Sequence, residues 1–194
     1  MGTIRARTQQ EMDARREEIL RAAEALFLRV DYHSITLGMI AERTSLSRPS
    51  VYHYFSTKEE LFLELSKQGY LDWKEELESL FSESLSREAF CRRLTDSLFA
   101  RPLMLKLMNL HSAAMEQTLP YETMFQYKKE VQPFFSAFGE LLRQQFPVAS
   151  ERARERFRIQ FMLYGYCLYP LCCIPEDQRR AMQELNTFGE IPEP

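Results

Sequence analysis

Apolar residues recur along this chain three or four positions apart, which is the spacing of one face of an α-helix. No segment alternates between apolar and polar residues over a length that would indicate a β-strand. The polar segment 3–14 is expected to fray, and periodic segments follow it to the end of the chain. The pattern, together with prolines and capping residues, predicts about nine helices, over residues 15–30, 37–44, 48–55, 58–81, 86–100, 103–117, 121–145, 150–173 and 175–188.

Capping residues divide the first part of the chain into short helices. Thr36 and Ser47 each stand directly before a short periodic segment, where a hydroxyl can accept a hydrogen bond from an exposed helix amide. Pro49 falls in the first turn of the segment after Ser47, where its missing N–H costs nothing. Thr57 caps a much longer segment. Short helices separated by such tight caps indicate a helix-turn-helix.

The predicted fold is all-α: a three-helix helix-turn-helix domain over residues 1–66 is joined through a long helix to a C-terminal helical bundle over residues 67–194. Composition agrees, because glycine and proline together number 15 of 194 residues, too few for a turn-rich β fold. The net charge of −3 excludes a polycation that adheres to nucleic acid over its whole surface. Residues 1–58 nevertheless carry a net charge of +2, which favours DNA binding by one face.

The segment from Thr36 to Leu61 resembles the DNA-binding domain of the TetR family of transcriptional regulators. Its sharpest part runs from Ser47 to Leu61, where a tyrosine-aromatic-phenylalanine run precedes a Ser-Thr cap and a lysine. The remaining two-thirds of the chain resembles the family only in being a helical bundle, as the family's variable ligand-binding domains are. The resemblance implies a DNA-binding regulator in the cytoplasm.

One face of the helix over 48–54 is apolar, so the opposite face is available to the DNA major groove. Arg48 can donate two hydrogen bonds to guanine O6 and N7, Ser50 can bond to almost any base, and Pro49 can touch a thymine methyl. The tyrosines and the histidine beside them suit phosphate oxygens, which the resemblance also implies. The residues predicted to contact DNA are Thr36, Ser47, Arg48, Pro49, Ser50, Tyr52, His53, Tyr54 and Lys58.

Simpler roles compete with several of these assignments. Thr36 and Ser47 can serve only as helix caps, since caps are common. Tyr54 can serve mainly in packing. Lys58 stands where its ammonium and the positive end of the long helix address the same phosphate.

The C-terminal bundle contains a candidate pocket for a small apolar or aromatic ligand. The segment 103–117 carries methionines, which adapt to irregular cavities, and one histidine that can anchor a polar group. Ordinary core packing is the alternative, because methionine and phenylalanine stripes at helical spacing are common in cores. The residues predicted to line the pocket are Phe99, Met104, Met108, His111, Met115, Phe125, Phe138, Phe161 and Tyr164.

The four cysteines are too few and too unevenly spaced for a disulfide scaffold, and a reducing cytoplasm is expected. Cys167, Cys172 and Cys173 are expected to be buried, inert thiols. No metal site, cofactor or catalytic constellation is predicted, so the chain is not expected to be an enzyme. The uncharged stretch 159–175 is too short and too polar to span a membrane, and is expected to be a buried helix.

These observations together predict a homodimeric repressor that binds a palindromic DNA operator and is released by a small-molecule effector. The segments 159–174 and 176–188 are expected to pair with their copies in the dimer, as the resemblance also implies. Two alternatives stay open: a helical interaction or sensor protein whose helix-turn-helix does not bind DNA, and a thiol-responsive regulator that uses Cys167, Cys172 and Cys173.

Overall fold

The computed structural model of the chain describes residues 2–110 and 119–186, without the side chains of residues 2–8, Leu171 and Cys172. Within these ranges there is no strand, and a single short 3-10 helix covers Tyr32–Ser34. The all-α prediction and its count of about nine helices are confirmed for the described residues. The helices are α1 (Gly2–Phe27), α2 (Leu37–Ala41), α3 (Arg48–Tyr54), α4 (Lys58–Leu80), α5 (Arg87–Phe99), α6 (Pro102–Leu110), α7 (Tyr121–Gln145), α8 (Glu151–Cys172) and α9 (Glu176–Glu184).

The start of α1 differs from the prediction. The helix begins at Gly2, so the polar segment expected to fray is helical. Between Thr3 and Phe27 the sequence contains neither glycine nor proline, and it is rich in strong helix formers. A hydrogen bond from Gln9 Nε2 to Asp13 Oδ1, one turn later, is 2.9 Å long. Helix propensity therefore extends α1 beyond its apolar stripe.

The chain divides into two compact units, Met1–Leu65 and Ser66–Pro194. The division falls one residue before the predicted boundary, and the functions assigned to the two parts stay predictions. The first unit contains α1 to α3 and the first two turns of α4. The second contains the rest of α4 and the helices that follow.

The core of the first unit joins α1 to the helix-turn-helix. Phe27 and Phe62 meet edge to face with ring centroids 4.9 Å apart, and Tyr32 packs against Phe62 at 5.1 Å. Each large apolar side chain removed from water contributes about 1.5–3 kcal/mol. The core residues, all almost inaccessible to solvent, are Ile19, Ala23, Leu26, Phe27, Ile40, Val51, Phe55, Leu61 and Phe62.

The second unit has an aromatic core. Trp73 of α4 stacks on Phe134 of α7 with centroids 5.0 Å apart, and its indole N–H donates to Ser97 Oγ at 3.1 Å. The hydroxyls of Ser66 and Tyr127 form a buried hydrogen bond of 2.7 Å between the same two helices. The buried polar groups of this core therefore have partners, as a buried hydroxyl or indole requires.

A buried glutamine fixes the end of α4. Gln145, the last residue of α7, donates through Nε2 to Glu83 O at 2.7 Å and to Phe81 O at 3.3 Å. Its Oε1 accepts from Leu85 N at 3.0 Å. Helix ends leave carbonyl groups without partners inside the helix, and this one side chain satisfies groups around the α4–α5 turn.

The uncharged stretch in α8 is only half buried, which corrects the expectation of a buried helix. Met162 and Leu168 face the core, whereas Ile159 and Leu163 are exposed. Helical spacing places these two pairs on different sides of α8, and packing covers one side. Among the described helices, none combines the length and apolar character needed to cross a bilayer.

Candidate nucleic-acid interface

Two hydroxyl caps begin the helices of the helix-turn-helix, as predicted. Thr36 Oγ1 accepts from Met39 N at 3.2 Å at the start of α2. Ser47 Oγ accepts from Ser50 N at 3.3 Å at the start of α3, and the hydroxyls of Ser47 and Ser50 are 2.8 Å apart. Both caps are on the surface, so the capping role is established and a further contact with DNA stays a prediction.

Helix α3 is attached to the core by one side and presents the other to solvent. Val51 and Phe55 are buried, as predicted from their i, i+4 spacing. The exposed side carries Arg48, Pro49, Tyr52 and His53, and the Tyr52 side chain is 52% exposed. Ser50 and Tyr54 are half buried, and Tyr54 meets His53 edge to face at 5.8 Å. A helix with this exposed side fits a major groove about 12 Å wide.

Glu18 connects α1 to the turn between α2 and α3, a contact that the sequence analysis did not predict. Its carboxylate accepts from the backbone N–H of Ser45 and, at 3.0 Å, from the Ser45 hydroxyl. The backbone hydrogen bond first, and then the hydroxyl, lower the pKa of Glu18 below its usual range. The charged carboxylate thereby fixes the turn that orients α3.

Arg48 forms an ion pair with Glu42, the residue that ends α2. Its Nη2 donates to Glu42 Oε1 across the turn. The guanidinium lies against Gly38 of α2: a Cβ atom at that position would be 3.4 Å from Arg48 Cζ and 3.5 Å from Nε. The guanidinium of the predicted base-reading side chain therefore lies close enough to α2 for a side chain at position 38 to touch it.

Lys58 makes contacts within the protein that the sequence analysis did not predict, and its contact with phosphate stays a prediction. Its ammonium donates to the carbonyl oxygens of Tyr32 at 3.0 Å and Ile35 at 3.2 Å. It also lies 4.2 Å from the centre of the Tyr32 ring. Both carbonyls belong to the loop that precedes α2, so the side chain fixes this loop to the start of α4. The Tyr32 hydroxyl adds a bond of 2.9 Å to Glu59.

Burial is the main reason that the pKa of Tyr32 is raised, and the hydrogen bond to Glu59 raises it further. Tyr32 therefore stays a neutral donor to a carboxylate throughout the physiological range. Together with Lys58, it joins the start of α4 to the loop that leads into α2.

The structure does not gather the predicted ligand-binding residues around one cavity. Phe125 is 56% exposed and Tyr164 is 47% exposed, because both lie on outer faces of their helices; this corrects their assignment to an interior pocket. His111 and Met115 lie outside the described residues. Phe138 is buried, and Phe99 and Phe161 are partly exposed.

Met104 and Met108 fill the space above two glycines. A Cβ atom at Gly69 of α4 would lie 2.8 Å from Met104 Sδ, and one at Gly165 of α8 would lie 2.7 Å from Met108 Cε. Both methionines are buried. Met104 and Met108 therefore pack in the core of the second unit, as the alternative to a ligand pocket predicted.

A groove of about 340 Å³ lies between α4 and α7 in the second unit. Its charged groups are paired, Lys74 with Glu78 at 2.9 Å and Glu140 with Arg143 at 2.9 Å. Of the predicted ligand-binding residues, Phe138 contributes to it. The lining residues are Lys74, Leu77, Glu78, Phe81, Ser82, Phe134, Ala137, Phe138, Glu140, Leu141 and Gln144.

The expectation of buried thiols is wrong for Cys167 and Cys173, and the side chain of Cys172 lies outside the described residues. Cys91, Cys167 and Cys173 are free thiols on the surface. Cys167 lies on the exposed side of α8, and Cys173 directly follows the helix. The apolar residues around them in the sequence did not indicate this exposure. Burial, and then the neighbouring Cys173 thiol, raise the pKa of Tyr169 to about 12. No group of three or more His, Cys, Asp or Glu side chains within the described ranges is placed to hold a metal ion.

Two family models match the chain. The one described as the tetracyclin repressor-like C-terminal domain matches residues 67–190, and the one described as bacterial regulatory proteins of the tetR family matches residues 19–65. The transcriptional repressor AcnR of Corynebacterium diphtheriae is 38% identical over 58 residues, which are 30% of each chain. The regulator QacR of Staphylococcus aureus is 34% identical over 61 residues, 31% of this chain and 32% of QacR. The matched part thus spans about a third of these curated relatives.

Two solved structures share the fold. A TetR-family regulator from Mesorhizobium loti has a TM-score of 0.57 and 21% identity, and the match covers 91% of this chain and 85% of that one. The TetR-family repressor FadR of Thermus thermophilus, in complex with lauroyl-CoA, has a TM-score of 0.60 and 20% identity, over 93% and 99% of the two chains. With family models matching both parts, the chain belongs to the TetR family of transcriptional regulators, and its helix-turn-helix, α2 and α3, lies within the matched N-terminal part.

Proposed function

We propose that the protein is a homodimeric repressor that binds a palindromic DNA operator through α3 and is released from it by a small apolar or aromatic ligand. The observation that carries this proposal is the two-sided character of α3. Val51 and Phe55 attach one side to the core, and the other side presents donors and a short, flat surface to solvent.

The exposed side of α3 suits both kinds of contact that operators require. Arg48 supplies a planar set of donors for a guanine edge, and Ser50 and Pro49 are short enough to let the helix backbone approach the bases. Tyr52 and His53 extend from the same surface and suit phosphate oxygens, which position the helix without reading sequence. The hydroxyls of the two helix caps lie on the surface beside them.

Two copies are needed because one helix-turn-helix covers too little DNA for tight, specific binding. The proposed dimer contact is the exposed apolar side of α8. Ile159, Leu163 and Tyr164 are 49%, 57% and 47% exposed, and their spacing places them on one face. An apolar face of this kind on a monomer favours association. Each protomer would then present one α3 to a half-site of the palindrome.

The groove between α4 and α7 is the proposed ligand site. Its volume of about 340 Å³ lies within the range of small-molecule sites, and its floor contains the buried rings of Phe134 and Phe138. The charges at its rim are already paired, so the groove favours an apolar or aromatic ligand. FadR, which shares the fold, was crystallised with lauroyl-CoA, a ligand with a long apolar chain. Since α4 forms one wall and also begins beside the helix-turn-helix, a ligand there can bias the position of α3.

Selection from a random duplex library tests DNA binding. The wild-type protein is expected to enrich a palindromic sequence, and the double variant Arg48→Ala, Tyr52→Phe is expected to lose most of its affinity for it in a fluorescence anisotropy titration. The matched control Arg29→Ala, Tyr121→Phe removes the same groups from exposed positions outside α3. Affinity of the α3 variant equal to that of the control would refute the proposal.

Light scattering at several concentrations tests the dimer. Leu163→Glu is expected to yield monomers, whereas Val148→Glu, at a fully exposed position in the α7–α8 turn, is expected to leave a dimer. A monomeric wild type, or a dimer that Leu163→Glu leaves intact, would contradict the α8 contact.

Lauroyl-CoA serves as the first probe of the groove. It is expected to lower the affinity for the selected duplex, and Ala137→Trp, which fills the groove, is expected to remove that effect while leaving ligand-free DNA binding unchanged. Ala153→Trp on the exposed surface of α8 is the control. Release that Ala137→Trp does not alter would place the ligand elsewhere, and mass spectrometry of molecules that copurify would then identify the ligand class.

The exposed thiols of Cys167 and Cys173 support a second candidate, a thiol-responsive regulator. Under this alternative, diamide would lower DNA affinity and dithiothreitol would restore it. The response would disappear in the variant Cys167→Ser, Cys173→Ser and persist in Cys91→Ser. An absent diamide response would exclude the alternative.

A further inference from the structure

We propose that Glu42 is a specificity-determining residue that acts by positioning Arg48 for a guanine edge. The inference rests on the proposed function, in which α3 enters the major groove. It concerns one contact, the ion pair between Arg48 Nη2 and Glu42 Oε1. Glu42 ends α2 and Arg48 begins α3, so the pair joins the two helices of the helix-turn-helix across their turn.

Glu42 defines the position of the guanidinium by binding one edge of it. Gly38 of α2 lies beside the guanidinium, where a Cβ atom would be in ordinary van der Waals contact with it, 3.4 Å from Cζ and 3.7 Å from Nη2. An arginine side chain has about four rotatable bonds and loses considerable freedom when it is fixed. An arginine that is already held by a counterion has lost part of that freedom before DNA arrives.

The pair leaves the reading edge of Arg48 free to act. A guanidinium has five N–H donors, and the contact with Glu42 uses one of the two on Nη2. The second Nη2 hydrogen and Nη1 remain for the two-point contact with guanine O6 and N7. The side chains of Arg48 and Glu42 are 64% and 58% exposed, so the pair lies on the surface that DNA would approach.

The carboxylate also weakens non-specific attraction to the duplex. Every phosphate repels the negative charge of Glu42 whatever the sequence, whereas the two-point contact of Arg48 is gained only at a guanine. Glu42 therefore raises the ratio of specific to non-specific binding.

The pair differs from exposed pairs that form within a single helix. Arg92 and Glu88, for example, stand one turn apart on α5, a geometry that helix spacing alone produces. Glu42 caps the end of α2 and Arg48 begins α3, so their contact depends on the geometry of the turn between the two helices.

Base preferences measured by selection from a random duplex library test the inference. The base pair that Arg48 reads is defined as the position at which Arg48→Ala loses its preference. Glu42→Ala is expected to lower the guanine preference at that position by about three- to tenfold, because it restores conformational freedom to the Arg48 side chain. The preferences at the other positions are expected to stay unchanged. Glu42→Gln, which keeps an acceptor, is expected to retain part of the preference.

The double variant and a charge control separate positioning from general electrostatics. In the Arg48→Ala background, Glu42→Ala is expected to have no further effect on preference at that position. Glu17→Ala removes one carboxylate from the exposed surface of α1 and is expected to leave every preference unchanged. An unchanged preference in Glu42→Ala, or an equal loss at all positions, would overturn the inference. A wild-type protein that enriches no sequence would instead refute the proposed function on which it rests.

Discussion

Replacing Glu18 by alanine tests whether α1 sets the geometry of the helix-turn-helix. The Glu18 carboxylate accepts two hydrogen bonds from Ser45, one from the backbone N–H and one from the hydroxyl, across 27 residues of sequence. Ser45 lies in the turn between α2 and α3. Removing the carboxylate leaves the core of the unit intact, so the variant is expected to fold with a less ordered turn.

The expected loss of stability follows from the two bonds. A hydrogen bond to a charged group contributes about 1.5–3 kcal/mol when it is shielded from water. Glu18 is partly exposed, so screening reduces the two bonds together to about 1–2 kcal/mol. Urea denaturation at pH 7 measures this difference, and Glu17→Ala, which removes an exposed carboxylate one position earlier, is expected to change the free energy of unfolding by less than about 0.5 kcal/mol.

The pH dependence gives a second, independent measurement. The hydrogen bonds from Ser45 lower the pKa of Glu18 in the folded protein. Its contribution is therefore fully present above the pKa of a free glutamate, near 4.3, and is lost as the pH falls through the lowered value in the folded protein. The difference between Glu18→Ala and the wild type should shrink over that acid range. Equal stability of Glu18→Ala and Glu17→Ala at pH 7, or a difference that persists unchanged into acid, would refute the reasoning.

Three further predictions follow from buried or paired side chains. Gln145→Leu deprives three backbone groups of their partner and should cost about 2–4 kcal/mol in urea denaturation, whereas exposed Gln144→Leu should cost less than about 0.5 kcal/mol. Lys58→Met should lower the stability of the DNA-free protein by about 1–2 kcal/mol, because it removes the two hydrogen bonds to backbone carbonyls. Unchanged stability would indicate a lysine that serves only to bind phosphate. Met108→Trp should destabilise the fold by about 1–3 kcal/mol rather than block a ligand selectively. The space beside Gly165 is already filled, because a Cβ there would lie 2.7 Å from Met108 Cε. An unchanged melting temperature would contradict this expectation.

Local patterns predicted the parts of the site that depend on neighbouring residues. The i, i+4 spacing of Val51 and Phe55 is enough to place one side of α3 in the core, and it therefore also predicts the exposed side. The caps at Thr36 and Ser47 depend on amides only three residues away. These features were predictable because they follow from helix geometry and need no knowledge of tertiary contacts.

The pocket was harder to predict for the opposite reason. Methionine and aromatic residues at helical spacing suit both a cavity and a filled core, and the choice depends on what lies opposite them. Gly69 and Gly165 stand opposite Met104 and Met108, and their lack of side chains lets the methionines fill the space. Periodicity within one helix contains no information about the residue on the facing helix.

The net charge of the first 58 residues also depends for its meaning on tertiary contacts that the sequence does not show. The value of +2 treats every lysine and arginine as free to contact DNA. The structure instead places Arg16 beside Glu64 at 3.0 Å and against the Phe55 ring, and it places the Lys58 ammonium on backbone carbonyls. Because log K falls by about 0.9 per log unit of salt for each phosphate neutralised, two inward cations should make the salt dependence shallower than the charge count suggests. A slope unchanged in Lys58→Met would place that ammonium off the phosphates, whereas a slope reduced by about 0.9 would show that DNA draws it away from the Tyr32 loop.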